Sequence, residues 1–165
     1  MVTRLYLLRH GIAAPHGTPG VSDDDRPLTP KGEAHVKAIG SGLKRLGVTP
    51  DRIVTSPLPR ARRTAELVAK SLKLGDRIEN ADALRPTASA DSIRQWISKR
   101  PEDVLMIVGH NPNLNELLGL YLGLAGKQLP FELKKGGIAE LRAADKGAFA
   151  LQWLSTPRLI RKLRD

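Results

Sequence analysis

The apolar segment Thr3–Gly11, which reads TRLYLLRHG, constrains the fold more than any other stretch of this chain. Residues 5–8 are continuously hydrophobic, which is typical of a strand covered on both faces. The run ends abruptly in Arg9 and His10, and Gly11 then permits a sharp turn and a close approach by a ligand. We therefore expect a buried strand that delivers an arginine and a histidine to the edge of a sheet.

Helices and strands are predicted to alternate along the rest of the chain. A loop over residues 12–28 separates the first strand from the first helix, because it is rich in proline, glycine and aspartate. The predicted helices run from a cap at Thr29 to about Gly47, from a cap at Ser56 to Leu72, from a cap at Ser89 or Asp91 to Ile97, and onward from Asn111–Pro112. The predicted strands cover residues 53–54, part of 76–88, 104–108, 137–141 and 149–154.

This alternation predicts an α/β fold, a three-layer sandwich with a mostly parallel central sheet and helices on both faces. With 165 residues the chain has the length of one ordinary domain. We expect a single domain over residues 1–165 that ends in a basic tail, residues 157–165. Ligands of such sheets bind beyond the carboxyl ends of the strands. His10, the turn at 56–60 and His110 all follow predicted strands, so we expect one site to collect them.

Composition excludes several classes of protein. No apolar stretch approaches the roughly 20 residues that a membrane-spanning helix needs, and the short apolar run near the N-terminus does not resemble a signal peptide. The chain has no cysteine, which excludes disulfides and thiolate metal sites. A cytoplasmic location is therefore expected.

The charge balance favours anionic partners. Lysine and arginine number 27 against 17 aspartate and glutamate, which gives a formal charge of +10. Aromatic residues make up only 4% of the chain and do not alternate with basic ones, so phosphate compounds are favoured over nucleic acid. The acidic cluster at residues 23–25 is interpreted as a surface loop, and no metal or other cofactor is expected.

Four sequence blocks together resemble the histidine phosphatase superfamily, whose fold is phosphoglycerate mutase-like. They are LRHG at 8–11, RPLTPKG at 26–32, SPLPRARRTA at 56–65 and VGHNP at 108–112. Their order is most similar to the short bacterial branch of SixA-like phosphohistidine phosphatases. The resemblance implies that His10 is the nucleophile and that Arg9, Arg60 and His110, with the backbone of Gly11, hold the phosphoryl group.

The chemistry of these residue types agrees with that implication. A phosphoryl group in transfer keeps negative charge on its equatorial oxygens, so forked, permanently charged arginines are suited to hold it. A neutral imidazole can attack the phosphorus, and the resulting phosphohistidine is then hydrolysed by water. Nearby arginines and partial burial both disfavour a protonated His10.

One feature departs from the larger members of the superfamily, which use a glutamate to protonate the leaving oxygen. Here Ala83 stands where we align that glutamate, and Asp82 or Asp91 is the candidate substitute. Without an acid, an alkoxide would leave poorly, whereas the P–N bond of a phosphohistidine has a better leaving group. His16 stands near the place of a family asparagine and is not expected to bind phosphate.

The leading hypothesis is thus a metal-independent protein histidine phosphatase. A small-molecule phosphomonoesterase that acts on sugar phosphates or nucleotides is the first alternative. The second is a non-catalytic module that binds phosphorylated proteins through the same basic residues.

Overall fold

A mixed six-stranded sheet forms the centre of the protein. The structure is a computed structural model that describes residues 1–144 and 148–163. Its strands are β1 (Arg4–Arg9), β2 (Arg52–Thr55), β3 (Ile78–Asn80), β4 (Val104–Gly109), β5 (Ile138–Ala143) and β6 (Phe149–Ser155). Its helices are α1 (Pro30–Arg45), α2 (Pro59–Leu72), α3 (Ala90–Ile97), α4 (Asn113–Tyr121) and α5 (Pro157–Lys162), with a short 3₁₀-helix at Asp82–Leu84.

The order of the strands in the sheet is β3-β2-β4-β1-β5-β6. The first four strands of the chain are parallel to one another, whereas β5 pairs antiparallel with both β1 and β6. Both closing strands were predicted, and the antiparallel pairing at this side of the sheet follows from the short connection between them. The predicted α/β class with a mostly parallel sheet is confirmed.

The continuous apolar run of β1 is explained by two hydrophobic clusters, one on each face of the sheet. Tyr6 and Leu8 belong to the cluster that includes residues of α1, α2 and α5. Leu5 and Leu7 belong to the cluster that includes residues of α3 and α4. Because successive side chains of a strand point to opposite faces, a strand between two layers must be apolar at every position.

The strand register brings the ends of β1, β4 and β2 to the same edge of the sheet. Arg9 of β1 is opposite Gly109 of β4, and Val108 of β4 is opposite Thr55 of β2. The next residue along each strand is therefore His10, His110 or Ser56. Two backbone hydrogen bonds hold this edge together. His10 N donates to Gly109 O at 3.0 Å, and Ser56 N donates to Val108 O at 2.9 Å.

The predicted helix caps were correct at some positions and wrong at others. Thr29 caps α1 by accepting a hydrogen bond from Gly32 N at 2.9 Å, and Ser89 rather than Asp91 caps α3. The prediction for Ser56 was wrong, because α2 begins after Leu58 and no side chain caps it. Proline at the first helical position of α2 delays the helix start past Ser56.

The predicted basic tail is partly helical. Helix α5 covers residues 157–162 and packs on α1, where Ile160 lies against Gly42. Arg164, which belongs to the predicted tail, lies outside the described residues. Among the described helices, none has the length and apolar character required to cross a membrane.

Candidate active site

His10 follows β1 and is nearly enclosed, with 5% of its surface exposed. Its Nδ1 lies 2.7 Å from Gly11 O, so Nδ1 carries the proton and donates it to that carbonyl. The lone pair of the neutral ring is then on Nε2. The backbone of the neighbouring residue thus sets the tautomer that a nucleophilic histidine needs.

His110 occupies the equivalent place after β4 and is 2% exposed. Its Nε2 lies 2.8 Å from Ser56 Oγ. A neutral His110 that accepts the Ser56 hydroxyl proton at Nε2 carries its own proton on Nδ1. Ser56 therefore orients the ring, and Nδ1 is a donor in the tautomer in which Ser56 donates to Nε2.

The two imidazoles lie side by side, with ring centroids 5.2 Å apart. The pKa of His10 is lowered to about 3, mainly by burial and further by the electrostatic effects of His110, Arg60 and Arg9, although the hydrogen bond to the Gly11 carbonyl opposes the shift. Burial also lowers the pKa of His110 to about 3, followed by the effects of Arg60, Arg26 and Arg9. Both rings are consequently neutral near pH 7.

Arg9 ends β1, and its guanidinium faces the segment that precedes β5. Its Nη1 donates to Leu133 O at 2.9 Å and lies 3.5 Å from Glu132 Oε1. Burial lowers the pKa of Arg9, and the charge of Glu132 opposes that shift. The group stays protonated at neutral pH, because free arginine loses its proton only above about pH 12.

Arg60 lies in the first turn of α2 and is 3% exposed. Its Nη1 donates to Asp23 O at 2.8 Å and approaches Asp24 O at 3.4 Å. Burial and the charge of Arg26 lower the pKa of Arg60. The loop between β1 and α1 therefore lies against one side of this guanidinium.

Three buried nitrogens of these side chains have no hydrogen-bond partner within the described part of the protein. They are Arg9 Nε, Arg60 Nε and His110 Nδ1. Buried donors are normally satisfied, because an unpaired one costs about 1–3 kcal/mol. Unpaired donors on three neighbouring side chains are the arrangement expected of a site prepared for an anion.

The sequence that contains these histidines and arginines matches a known protein family. The model of the histidine phosphatase superfamily (branch 1) matches residues 5–91, more than half of the chain. The chain belongs to the histidine phosphatase superfamily. An uncharacterised protein of Picosynechococcus sp. PCC 7002 is 40% identical over 143 residues, which cover 84% of each chain. The phosphohistidine phosphatase SixA of Escherichia coli K12 is 24% identical over 157 residues, covering 93% of this chain and 94% of SixA.

Solved structures of the superfamily have the same fold. A protein of Agrobacterium tumefaciens assigned as phosphohistidine phosphatase SixA matches with a TM-score of 0.82 and 29% identity, covering 95% of this chain and 99% of the other. The phosphoglycerate mutase of Bacillus anthracis matches with a TM-score of 0.75 and 17% identity, covering 99% and 97%. The fold is phosphoglycerate mutase-like, the chain is SixA-like, and its membership of the superfamily supports phosphatase activity.

The sequence of this histidine phosphatase predicted a ligand-binding backbone at Gly11, and the structure gives the glycine a packing role. A Cβ on Gly11 would lie 2.5 Å from Val36 Cγ2, so helix α1 leaves no room for a side chain. The Gly11 N–H donates to Thr64 Oγ1 at 3.0 Å, and Thr64 Oγ1 donates in turn to Arg60 O at 2.7 Å. Thr64 thereby ties the segment that follows β1 to the helix that carries Arg60. Substrate binding by Gly11 stays a prediction.

The predicted proton donors are exposed and are bonded to side chains other than the imidazoles. The Asp82 side chain is 83% exposed and accepts from Arg85 Nε at 2.7 Å. The Asp91 side chain is 52% exposed and accepts from Arg94 and Gln95. Within the described residues, neither carboxylate is hydrogen-bonded or ion-paired to His10, His110, Arg9 or Arg60. A proton-donor role for either aspartate stays a prediction.

Sequence reasoning missed two groups that touch the arginines. Glu132 is the one carboxylate in the described residues whose side chain forms an ion pair with a predicted site residue, and it also pairs with Lys134. The Asp23 carbonyl binds Arg60, although the acidic loop was interpreted as surface. Only the position of these segments in space reveals either contact. His16, with an 84% exposed side chain, pairs with Asp23 instead.

No group of three or more metal-ligating side chains occurs among residues 1–144 and 148–163. The cationic groups around His10 are the arginines already described. These side chains can supply positive charge to a phosphoryl group directly.

Proposed function

We propose that this protein is a metal-independent phosphatase that works through a phosphohistidine on His10, and that its substrate is a phosphohistidine in a signalling or phosphotransfer protein. The observation that carries the proposal is the set of unpaired buried nitrogens on Arg9, Arg60 and His110, together with a His10 ring whose Nδ1 is hydrogen-bonded to Gly11 O. Unpaired nitrogens on two arginines and a histidine suit a phosphoryl group in transfer, which keeps negative charge on its equatorial oxygens.

The first step forms a bond between His10 Nε2 and phosphorus and breaks the P–N bond of the substrate. The substrate imidazole leaves with a proton that its own ring already carried or that solvent supplies, so it needs no acid from the protein. In the second step a water oxygen attacks the phosphorus and the P–Nε2 bond breaks. Inorganic phosphate and neutral His10 are the products.

A phosphohistidine substrate fits this site better than a phosphate ester. An ester releases an alkoxide, which needs a proton donor close to the leaving oxygen. Asp82 and Asp91 are exposed and paired with arginines, and Glu132 is held ionised because Lys134 and Arg9 lower its pKa. Similarity to the phosphohistidine phosphatase SixA of Escherichia coli supports the same choice.

The test is to trap the intermediate. A histidine phosphotransfer domain carrying labelled phosphohistidine is mixed with enzyme and quenched in alkaline denaturant, which preserves the P–N bond. Wild type and the control His16→Ala should carry label, and His10→Ala should carry none. Label on folded His10→Ala would overturn the assignment of the nucleophile.

The substrate class is tested in parallel with a panel of small phosphate esters and with chelator present. We expect kcat/KM for the phosphorylated domain to exceed that for every ester, and chelator to leave it unchanged. Faster turnover of an ester would favour the phosphomonoesterase alternative. Tight binding of the phosphorylated domain without release of phosphate would favour the binding module.

A further inference from the structure

A group of basic residues, four cations and a histidine, lies beside the site without a role in the proposed chemistry. It consists of Lys31 and His35 on α1, Lys135 in the turn before β5, and Arg158 and Arg161 on α5, and we refer to it as the basic rim. Lys31, Lys135 and Arg158 are exposed, and His35 and Arg161 are partly exposed.

The backbone that carries the basic rim is fixed against the end of β1. Gly136 N donates to both Arg9 O and His10 O at 3.0 Å, which places Lys135 beside the nucleophile. A Cβ built on Gly136 would lie 3.4 Å from Pro157 Cβ, so α5 begins next to the same turn. A Cβ on Gly32 would lie 2.0 Å from Ile12 O, so the first turn of α1, which carries Lys31, packs against the segment that follows His10.

The Arg161 side chain extends toward the start of α5, which lies next to the turn that carries Lys135. Its Nε donates to Pro157 O at 3.3 Å, one turn back along α5. Burial lowers the pKa of His35, and the charges of Arg161 and Lys31 lower it further, so these side chains face the same space. The basic residues of α1 and α5 therefore belong to one shared surface.

The charge of the basic rim is not neutralised within the described part of the chain. None of its five residues forms an ion pair there with a carboxylate. The acidic side chains close in sequence to Lys31 and Lys135 have other partners, since Glu33 pairs with Arg63 and Glu132 pairs with Arg9 and Lys134. Unpaired cations grouped on one side of a site attract negatively charged surfaces and raise association rates.

We propose that the basic rim is a docking surface for an acidic face of the phosphorylated protein whose phosphohistidine enters the site. The inference rests on the proposed function and adds the charge of the substrate protein next to its phosphohistidine. A protein partner is favoured over nucleic acid because the basic rim offers no tyrosine, phenylalanine or tryptophan for bases to stack on.

The experiment compares two substrates that share the same P–N bond. One is free phosphohistidine, and the other is a phosphorylated histidine phosphotransfer domain with a net negative charge. For Lys31→Glu/Arg161→Glu we expect the ratio of kcat/KM for the domain to kcat/KM for the free amino acid to fall at least about tenfold, through KM. Rising salt should reduce the same ratio in wild type.

A matched control is Lys44→Glu/Lys99→Glu, which makes the same charge change elsewhere. Lys44 lies on α1 about 20 Å from Lys31 along the helix axis, and Lys99 follows α3. For this control variant, the ratio of kcat/KM for the domain to kcat/KM for free phosphohistidine should stay within about twofold of wild type. Lys135→Glu/Arg158→Glu, at two exposed positions, serves as a second test if the first pair destabilises the fold.

The outcomes separate the two proposals. An unchanged ratio in both rim variants overturns the docking surface while the phosphatase stands. Equal losses in the rim and control variants also overturn it. A wild type that hydrolyses neither substrate overturns the proposed function itself. Single-stranded RNA that binds wild type more tightly than the domain does, and is released by the rim substitutions, overturns the choice of an acidic protein.

Discussion

Ser56 Oγ lies 2.8 Å from His110 Nε2, and both groups are buried at adjacent strand ends. The hydroxyl holds one side of the imidazole, while Nδ1 on the other side has no hydrogen-bond partner among the described residues. Ser56 is therefore a positioning residue, which acts through His110 rather than on the substrate.

The first prediction concerns this hydroxyl. Ser56→Ala should lower kcat/KM about tenfold, because His110 loses the contact that fixes its tautomer and ring angle. It should also destabilise the fold by about 1–3 kcal/mol, because Nε2 becomes an unsatisfied buried atom. Steady-state kinetics and urea unfolding measure both effects. Ser92→Ala, on an exposed turn of α3, is the control and should change neither quantity appreciably.

The second prediction compares two arginines of α2. Arg60→Lys should lower kcat/KM about a hundredfold, because lysine replaces a planar fork by a single ammonium group that cannot reproduce Nε and Nη1 together. Arg63→Lys changes an exposed residue that pairs with Glu33 and should alter kcat/KM less than twofold, within the ~0.5 kcal/mol typical of surface substitutions. Similar losses in both variants would contradict the role given to Arg60.

The third prediction is a dependence of stability on pH. The pKa values of His10 and His110 are lowered to about 3 in the folded protein, against about 6.5 when unfolded. The unfolded chain therefore binds more protons between these values, and the free energy of unfolding falls as pH drops from 6.5 toward 3. At pH 5 the loss is about 2 kcal/mol for each histidine.

Urea unfolding at pH 7 and pH 5 measures that slope. His110→Gln should reduce the difference between the two pH values, because one of the two groups no longer titrates. His16→Gln removes an exposed histidine and should leave the difference as in wild type. A slope that does not respond to His110→Gln would show that other groups dominate the acid response.

The fourth prediction concerns the contact between Gly11 and α1. Gly11→Ala should destabilise the protein by about 1–3 kcal/mol, because the new methyl group would lie 2.5 Å from Val36 Cγ2. Val36→Ala removes that methyl neighbour and leaves space. The double variant should therefore be less destabilised than the sum of the two single variants. Additive losses, measured by unfolding in a double-mutant cycle, would contradict the packing role.

The fifth prediction concerns the Glu132 carboxylate, which forms an ion pair with Arg9. The pKa of Glu132 is lowered by Lys134 and Arg9, so the group is ionised near pH 7 and repels an arriving phosphate. Glu132→Gln should strengthen competitive inhibition by inorganic phosphate about two- to fivefold, more at low salt than at high salt. Glu33→Gln, which removes the partner of Arg63, is the control. Weaker inhibition in Glu132→Gln would instead indicate that Glu132 helps to position Arg9.

Much of the fold and the predicted site followed from local patterns. The uninterrupted apolar run of residues 5–8 specified a strand between two layers, and the four motif blocks named His10, Arg9, Arg60 and His110. Parallel strands place their carboxyl ends together, so their convergence could be inferred before any distance was known. Helix starts were less predictable. Ser56 is a residue type that often caps helices, but α2 begins at Pro59 and no side chain caps it.

By itself the sequence determined the α/β architecture, the family and the identity of the arginines and histidines, because these depend on residue type and order along the chain. The tertiary structure alone decided which groups touch them: Ser56 on His110, Asp23 on Arg60, Glu132 on Arg9 and Val36 against Gly11. Each of these contacts joins segments that are distant in the chain. Hydrogen bonds, charge and packing depend on separations in space, and local periodicity carries no information about them.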